Sequence, residues 1–300
     1  MKSISKEKET SKKSLPLVSV IVPTKNSARH FENCLRSIKK QTYKNVEIIV
    51  VDNHSTDDTV KIAKRYTNTV FIKGPERATQ VNYGIDKARG IYVYYTGSDL
   101  TMEQDLIEQA VNACEKQHAD AVYLNVLTKI KNPNIWQKVR ALERQCYFKE
   151  PGMSAARFWK KHVFQKLGGF DESLGAMSDD LEFQTRLNDA GYKTVFIDAK
   201  ENNPGEYSSY SIIVRRSLYY GWLMRKVLVK HPKKMGTQYT PVRNEFLRHK
   251  DILLRDLYVF FFFVIYKMTQ YTFAGIGYIM AVMMRYNSHV EARLHKLNYG

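Results

Sequence analysis

Short apolar runs alternate with segments of helical spacing from residue 17 to residue 124. The first run, residues 17–22, ends at Pro23, and residues 31–38 follow with their apolar side chains on one helical face. Later apolar runs cover residues 46–51, 69–72, 91–95 and 121–124. This alternation predicts an α/β fold with a mostly parallel sheet and helices on both faces.

The residues that directly follow the predicted strands are the candidate ligand contacts, because ligands of such sheets bind at the carboxyl ends of the strands. These strand ends are residues 24–26, 52–55, 74–77 and 97–99. A G-x-G-x-x-G loop is absent after the first strand, and no G-x-x-x-x-G-K-[ST] motif occurs. The pattern therefore disfavours a hydride-transfer enzyme and predicts that a nucleotide binds by another route.

The C-terminal third contains the most apolar stretch of the chain, residues 257–284, in which Lys267 is the only formal charge. As a helix these 28 residues would extend about 42 Å, more than the roughly 30 Å of bilayer hydrocarbon. A single span, a helical hairpin in one leaflet bent at Gly275 and Gly277, and a buried helix of a soluble protein all remain open. A single span has two costs: it would place Lys267 in hydrocarbon and send the basic tail (Arg285, Arg293, Lys296) across the membrane.

The charge distribution favours an anionic membrane surface over nucleic acid. The chain carries 47 Lys+Arg and 30 Asp+Glu, a formal net charge of +17. Residues 208–300 hold 15 of the basic and 4 of the acidic residues, so most of the excess lies beside the apolar stretch. Within this region residues 211–230 predict a helix with basic and aromatic side chains. Its basic face either lies at a membrane headgroup interface or packs on the rest of the protein.

Three domains are predicted: a flexible basic N-terminus (1–15), an α/β domain (16–207) and a basic, helical, membrane-associating region (208–300). No apolar core follows the Lys-rich start of the chain, so a secretory signal is not expected. Three widely spaced cysteines argue against a disulfide framework or a structural zinc site.

Three blocks of sequence, in order, resemble the family-2 inverting glycosyltransferases of GT-A fold. The first runs VSVIVPTKN, a helix and VEIIVVDNHSTDDT; the second is GPERATQVNYGIDKARGIYVYYTGSDLT; the third is GGFDESLGAMSDDLEFQTRLNDAGYKTVFID. They span roughly residues 17–198. The resemblance implies a sugar nucleotide as donor and direct displacement at its anomeric carbon.

On this resemblance, the donor nucleotide binds at Pro23, Thr24, Asn26, Asp52, Asn53, Arg77 and Ser98. A strand-end carboxylate such as Asp52 accepts hydrogen bonds from a base or ribose, and Asn53 stands where the family often has a second Asp. Arg77 is expected to donate toward phosphate oxygens. The alternative for Asp52 and Asn53 is ordinary turn and capping chemistry before Ser55.

The family binds a divalent metal at an Asp-x-Asp turn, which here is Gly97-Ser98-Asp99. The first Asp is missing, and Asp99 remains as the expected ligand of Mg²⁺ or Mn²⁺. One carboxylate suffices when phosphate oxygens and waters fill the other positions, since Mg²⁺ keeps much of its hydration.

The acidic pair Asp179-Asp180 matches the family's catalytic pair. By this resemblance Asp180 is the general base for an acceptor hydroxyl, and Asp179 orients it or raises its pKa. The alternative is that the pair, with Ser178, caps the following helix. An acceptor that is already an ionised phosphate would need the base less.

The expected function is sugar transfer from a nucleoside-diphosphate sugar to a lipid-linked or polyprenyl-phosphate acceptor in glycan biosynthesis. The basic, aromatic C-terminal region would hold the active site at the cytoplasmic face of the membrane. An inactive sugar-nucleotide-binding protein of the same fold is the alternative that Gly97 favours. A nucleic-acid-binding module rests on charge alone and is not expected.

Overall fold

The computed structural model describes residues 14–174, 179–204, 208–230 and 244–284, together with Val290, Arg293 and Leu294. All but the last two residues of the predicted flexible N-terminus lie outside these residues. So do Ser178 and two basic residues of the tail, Arg285 and Lys296.

The described residues form one eight-stranded sheet whose strands lie in the order β3-β2-β1-β4-β7-β6-β8-β5. The strands are β1 (Val18–Thr24), β2 (Val46–Asp52), β3 (Val70–Ile72), β4 (Tyr92–Tyr95), β5 (Thr101–Met102), β6 (Ala121–Leu127), β7 (Ala156–Lys160) and β8 (Thr194–Asn202). Only β5 and β7 run against the other strands. The predicted mostly parallel sheet is therefore confirmed.

Helices cover both faces of this sheet and continue into the C-terminal third. They are α1 (Ala28–Lys39), α2 (Thr59–Lys64), α3 (Arg77–Lys87), α4 (Leu106–Lys116), α5 (Ile135–Cys146), α6 (Lys161–Lys166), α7 (Asp179–Asp189), α8 (Tyr210–Lys230), α9 (Asn244–Arg248), α10 (Lys250–Leu253) and α11 (Leu257–Met283).

Successive residues of β1 alternate between two apolar cores, one on each face of the sheet. Val20 and Val22 pack in the core that contains Phe31 of α1, whereas Ile21 belongs to the core that contains Val81 of α3. This two-residue alternation is the geometry of an extended strand. The helices on both faces are thus the ones that the apolar pattern predicts.

The antiparallel strand β7 departs from the simple alternation of strands and helices. It lies between β4 and β6 and runs against both. The sequence analysis assigned no strand beyond residue 124, because β7 is short and contains Arg157. That side chain is accommodated by pairing with the fully buried Glu201 of β8.

Helix α11 is continuous through Gly275 and Gly277, so the structure contradicts the hairpin alternative, in which the segment bends at these glycines. Gly277 instead lets the backbone of α8 approach, since a Cβ there would overlap the carbonyl oxygen of Leu218. Gly221 of α8 makes the reciprocal approach to Ala274. Within the described residues α11 is the one helix long and apolar enough to cross a membrane by length and composition.

Lys230, at the end of the basic face of α8, contacts the α/β unit as in the second alternative from the sequence, whereas Arg215 on the same face is exposed. Lys230 ends the helix by donating to Asp171 and to the Ser173 hydroxyl, the latter at 2.9 Å. Trp222 of the same helix is fully buried rather than placed at a surface. These two side chains of α8 therefore make contacts within the protein.

Lys267 is neutralised inside the protein by Glu143 of α5, whose side chain is only 2% exposed. The Tyr266 hydroxyl donates to the same carboxylate at 3.1 Å, and Arg140 pairs with it as well. Burial raises the pKa of Glu143, but Lys267 and then Arg140 outweigh it and hold this pKa well below its ordinary value. This ionic contact fastens α11 to α5.

Replacing Gly277 with alanine will destabilise the protein, because the new methyl group overlaps the backbone of α8. Overpacking of this kind costs about 1–3 kcal/mol. The matched control is Gly275→Ala, where a Cβ meets no atom within 4 Å, and where the higher helix propensity of alanine adds up to about 1 kcal/mol. Thermal unfolding midpoints of the two variants should move in opposite directions; equal midpoints would contradict the close packing of α8 on α11.

Candidate active site

A cleft of about 630 Å³ opens at the carboxyl ends of β1 and β4. Its lining includes six of the seven residues expected to bind the donor, together with the expected metal ligand Asp99; the six are Pro23, Thr24, Asn26, Asn53, Arg77 and Ser98. Strands β1, β2 and β4 are neighbours in the sheet, so their ends meet at one edge. The structure thus brings together side chains that lie up to 76 residues apart in the chain.

Asp52 lies beneath this cleft instead of lining it. Its side chain is fully buried, and it accepts hydrogen bonds from the Thr24 hydroxyl at 2.7 Å and from the Ser55 backbone and hydroxyl at 2.7 and 2.6 Å. These are the capping contacts that formed the alternative for this residue. In this structure Asp52 shapes the loop after β2, and Asn53 presents the next side chain to the cleft.

The loop after β1 is held by Asn26, which adopts a left-handed conformation with φ of 47°. Asparagine tolerates this region better than most residues. Its backbone N–H donates to Ser55 Oγ at 2.8 Å, and its side-chain oxygen accepts from the Thr56 backbone at 2.9 Å. These bonds tie the β1 loop to the β2 loop, so Asn26 acts first as a positioning residue of the cleft wall.

Gln80 is a cleft residue that the sequence analysis missed. It lies almost fully buried on α3, and its amide donates to the Thr24 and Val51 carbonyl oxygens at 2.9 and 2.6 Å. It therefore holds the ends of β1 and β2 together below the cleft. A glutamine within a helix carries no sequence signal for this role.

A second cavity, of about 370 Å³, adjoins the first, and the two share Arg77, Tyr95, Gly97 and Asp99. Asp180 lines this second cavity together with Asp99. The expected metal ligand and the expected base thus lie in the wall of one cavity.

Asp99 is half-buried, and its carboxylate makes no hydrogen bond or ion pair with the described residues. No cluster of three metal-ligating side chains occurs in the described part of the chain. The donor set that fits a cation is accordingly one carboxylate, which suits Mg²⁺ or Mn²⁺ only with phosphate oxygens and waters as the other ligands.

Arg77 pairs with Asp179 through two of its guanidinium nitrogens, and its Nε lies 3.0 Å from Asp179 Oδ2. Asp179 is fully buried, so the arginine supplies the charge that this carboxylate needs. Arg77, which the sequence analysis expected to donate hydrogen bonds to phosphate oxygens, is therefore also the partner of the acidic pair. It stands at the junction of the two cavities.

Asp180 lies at the start of α7, where its carboxylate accepts the Leu181 backbone N–H at 2.8 Å. Burial first, and then the neighbouring Asp179 carboxylate, raise the pKa of Asp180; Arg77 acts in the opposite direction. A carboxylate with a raised pKa is a stronger proton acceptor once it is ionised.

Three arginines that the sequence analysis did not single out also line the second cavity: Arg140 and Arg144 of α5 and Arg157 of β7. The first two stand four residues apart, so they share one face of α5. Arg140 is held by Glu143, and Arg157 by Glu201. An arginine pair at this spacing is the signal that was available in the sequence.

Helix α8 closes the first cleft from the side opposite the sheet. Ile212, Arg216 and Tyr220 line the cleft at successive turns of this helix. The basic, aromatic helix that was expected at headgroups therefore contributes side chains to the site itself.

Comparison with known proteins agrees with this geometry. Residues 19–170, just over half of the chain, match the sequence model of the family described as glycosyl transferase family 2. The chain belongs to this family. The resemblance drawn from the three sequence blocks is therefore confirmed.

Named relatives of this family-2 chain include glycosyltransferase AglE of Haloferax volcanii, which is 27% identical over 202 residues. That match covers 61% of the chain and 64% of AglE. Glycosyltransferase GlyG of Streptococcus pneumoniae is 34% identical over 116 residues, which cover 36% of the chain and 38% of GlyG. The chain thus spans less than two thirds of either relative.

Among solved structures, the mannosyltransferase PcManGT from Pyrobaculum calidifontis, in complex with GDP-Man and Mn²⁺, is similar to the chain with a TM-score of 0.55 and 20% identity. The match covers 95% of this chain and 79% of PcManGT. S. aureus TarS 1-349 has a TM-score of 0.50 at 19% identity, over 94% of this chain and 89% of TarS 1-349. At these identities the likeness shows the fold alone, and it confirms the expected GT-A architecture.

Replacing Asp179 with asparagine will lower the pKa of Asp180, because it removes a like charge and leaves the Arg77 cation beside it. The measurement is a titration of ¹³C-labelled aspartate carboxyls by NMR, with the Asp180 signal assigned by its loss in Asp180→Asn. Asp189→Asn, at the far end of α7, is the control that leaves this pKa unchanged; an unchanged or higher pKa in Asp179→Asn would contradict the coupling.

Proposed function

We propose that this family-2 chain is an inverting glycosyltransferase that moves a sugar from a nucleoside-diphosphate donor to an acceptor bound in the second cavity. The observation that carries the proposal is that Asp99 and Asp180 line one cavity, with Arg77 between the donor cleft and the acidic pair. An inverting displacement needs its leaving group and its base on opposite sides of one reacting carbon, and a shared cavity permits that arrangement.

In this proposal the first cleft holds the nucleotide, with Asn53 and Ser98 on its wall. The donor diphosphate lies toward Asp99 and Arg77. Arg77 is already oriented by Asp179, so it offers a fixed positive charge to the leaving oxygens without reorganising during the reaction. The bound GDP-Man of PcManGT supports a sugar nucleotide as donor.

A divalent cation is the expected cofactor, supported by the Mn²⁺ of PcManGT. Asp99 would hold it, and when bound it supplies positive charge toward the diphosphate. Arg77, which lines the same two cavities as Asp99, also supplies positive charge toward the diphosphate. Gly97, in place of the usual first Asp, leaves Asp99 as the protein's single carboxylate in this turn.

Asp180 acts as the general base in this proposal. Its raised pKa suits it to accept the proton of an acceptor hydroxyl as the bond to the anomeric carbon forms. The ionised form is required, so activity falls as the pH drops through this raised pKa. Asp179 positions Asp180, because the backbone N–H of Asp180 donates to Asp179 Oδ1 at 3.0 Å.

The acceptor that best suits the second cavity carries phosphate as well as a hydroxyl nucleophile. Arg140, Arg144 and Arg157 line the cavity, and guanidinium groups match phosphate oxygens in a bidentate manner. A glycan on a lipid phosphate carrier has both groups, and polyprenyl phosphate alone has only the phosphate. The length and apolar composition of α11 support a site at the membrane. We place the site at the cytoplasmic face of the membrane, where sugar nucleotides are available.

Asp180→Asn and Asp99→Asn will each lower sugar transfer by about a hundredfold or more. Donor binding should survive in Asp180→Asn, because this residue lines the acceptor cavity. The measurement is thermal stabilisation by UDP-, GDP- and dTDP-sugars with and without Mn²⁺, followed by transfer assays with the stabilising donor. Asp86→Asn, an exposed acid of α3, is the matched control.

Two results would count against the catalytic proposal. Donor binding with no transfer in the unchanged protein would favour the inactive sugar-nucleotide-binding alternative. Transfer that is insensitive to Asp180→Asn would instead indicate an acceptor that is already ionised, such as polyprenyl phosphate itself.

Arg144→Gln will weaken binding of a phosphate-bearing acceptor by roughly tenfold, since a charge-assisted hydrogen bond is lost. Its effect should appear in the KM for acceptor and not in donor binding. Lys116→Gln, which removes an exposed cation at the end of α4, is the control. A loss of donor affinity in Arg144→Gln, or an equal loss with a phosphate-free acceptor, would contradict the role.

A further inference from the structure

One side of α11 is exposed along the whole helix. The exposed positions begin at Leu257 and recur every three or four residues to Val282. On an ideal helix they fall within roughly 120° of arc. Leu257 is 68% exposed, Phe261 61% and Met268 66%, and no exposed position of α11 in this range carries a charge. We call this surface the apolar stripe.

The opposite side of α11 is fastened to the α/β unit at its middle. Lys267 pairs there with Glu143 of α5, and the Tyr266 hydroxyl donates to the same carboxylate. Phe263 packs nearby in a core shared with Val139 of α5. The first half of α11 therefore lies against α5 and cannot leave it without exposing a buried ion pair.

The second half of α11 is fastened through α8, which runs beside it in the same direction. The Tyr210 and Thr269 hydroxyls lie 3.0 Å apart, and Arg225 donates to the Ala281 carbonyl oxygen at 3.3 Å. At its own end α8 returns to the α/β unit, where Lys230 pairs with Asp171. The pair of helices thus lies across the α/β unit.

This attachment is incompatible with a transmembrane orientation. Lys267 divides α11 into segments of about 15 and 24 Å, each shorter than the roughly 30 Å of bilayer hydrocarbon. A full span would draw Glu143 and Arg140, which line or support the second cavity, into the hydrocarbon. A helix lying parallel to the membrane plane buries the apolar stripe without moving any of these charges.

A basic groove of about 740 Å³ lies at the N-terminal end of α11, between α5, α10 and α11. Lys129, Lys131, Lys138 and Arg255 line it, with Asp256 as the one carboxylate. Apolar side chains also line it, among them Leu142 of α5 and Val259 of α11. Cations beside an uncharged apolar surface complement the phosphate headgroups and acyl chains of an anionic leaflet.

We propose that the apolar stripe and the basic groove form a membrane-binding surface, on which α11 lies in one leaflet of an anionic bilayer without crossing it. The groove takes lipid phosphate headgroups, and the stripe takes the adjoining acyl chains. This deepens the membrane association proposed above. Binding to lipid needs no sugar donor, so it can be tested independently of the transfer reaction.

The first test is co-sedimentation of the full chain with vesicles of phosphatidylcholine, alone or mixed with phosphatidylglycerol. We expect tighter binding to the mixed vesicles and a loss of roughly tenfold or more in Phe261→Glu and Met268→Glu. Ile91→Glu is the matched control, since this apolar side chain is 57% exposed on the α/β unit, away from α11. Lys131→Gln with Lys138→Gln should weaken binding to the mixed vesicles and leave the neutral ones unaffected.

The second test measures depth and separates lying in the leaflet from crossing it. Environment-sensitive labels are attached after Leu257→Cys, Met268→Cys or Ile279→Cys, and are quenched by lipids brominated at different depths. The native cysteines are all buried and stay unlabelled. Equal, shallow depths at the three positions are expected, because the helix lies parallel to the plane.

Two outcomes would overturn the proposal. A label at position 268 that lies deep while the other two lie shallow would show a crossing helix. Loss of self-association in Phe261→Glu, with no binding to either vesicle, would show that the stripe contacts a second copy of the chain. Circular dichroism of each variant establishes that the fold is intact before binding is compared.

Discussion

The carboxylate of Asp179 is fully buried, and its pairing with Arg77 holds two distant parts of the chain at one cleft. The two residues are 102 positions apart, one after β3 and the other at the start of α7. An unpaired charge in that position would cost several kcal/mol, so the two parts are bound to each other. Their contact places Asp180 in the cavity that Asp99 also lines. The arrangement of the two adjoining cavities thus depends on one ion pair.

Glu143 is a second buried carboxylate whose ion pairs join distant parts of the chain, here the α/β unit and the C-terminal third. It lies buried on α5 between Arg140, which lines the second cavity, and Lys267, which lies in the apolar helix. The same carboxylate therefore positions a cavity arginine and fastens α11 to the α/β unit. In the function and the membrane-binding surface that we propose, α5 contributes to both, so an acceptor delivered from a lipid surface would meet the cavity along α5.

The strands of the first half were predictable because their apolar runs are short, buried and separated by helices of clear spacing. Strand β7 and the arginines of α5 were not, since each depends on a partner remote in the chain: Glu201 for Arg157, and Glu143 for Arg140. The hairpin alternative, with a bend at Gly275 and Gly277, could not be decided from the sequence for a related reason. The sequence around a helical glycine does not show whether the glycine permits a bend or the close approach of another backbone.

The sequence by itself determined the alternation of strands and helices in the first half of the chain, the family, and most of the strand-end residues that line the first cleft. These follow from local patterns and motifs, which are properties of neighbouring residues. Only the tertiary structure decided that Asp52 lies beneath the cleft, that Arg77 serves Asp179, and that α11 lies against the protein. Each of these depends on which groups meet after folding, because a buried charge or close-packed glycine takes its role from its partner.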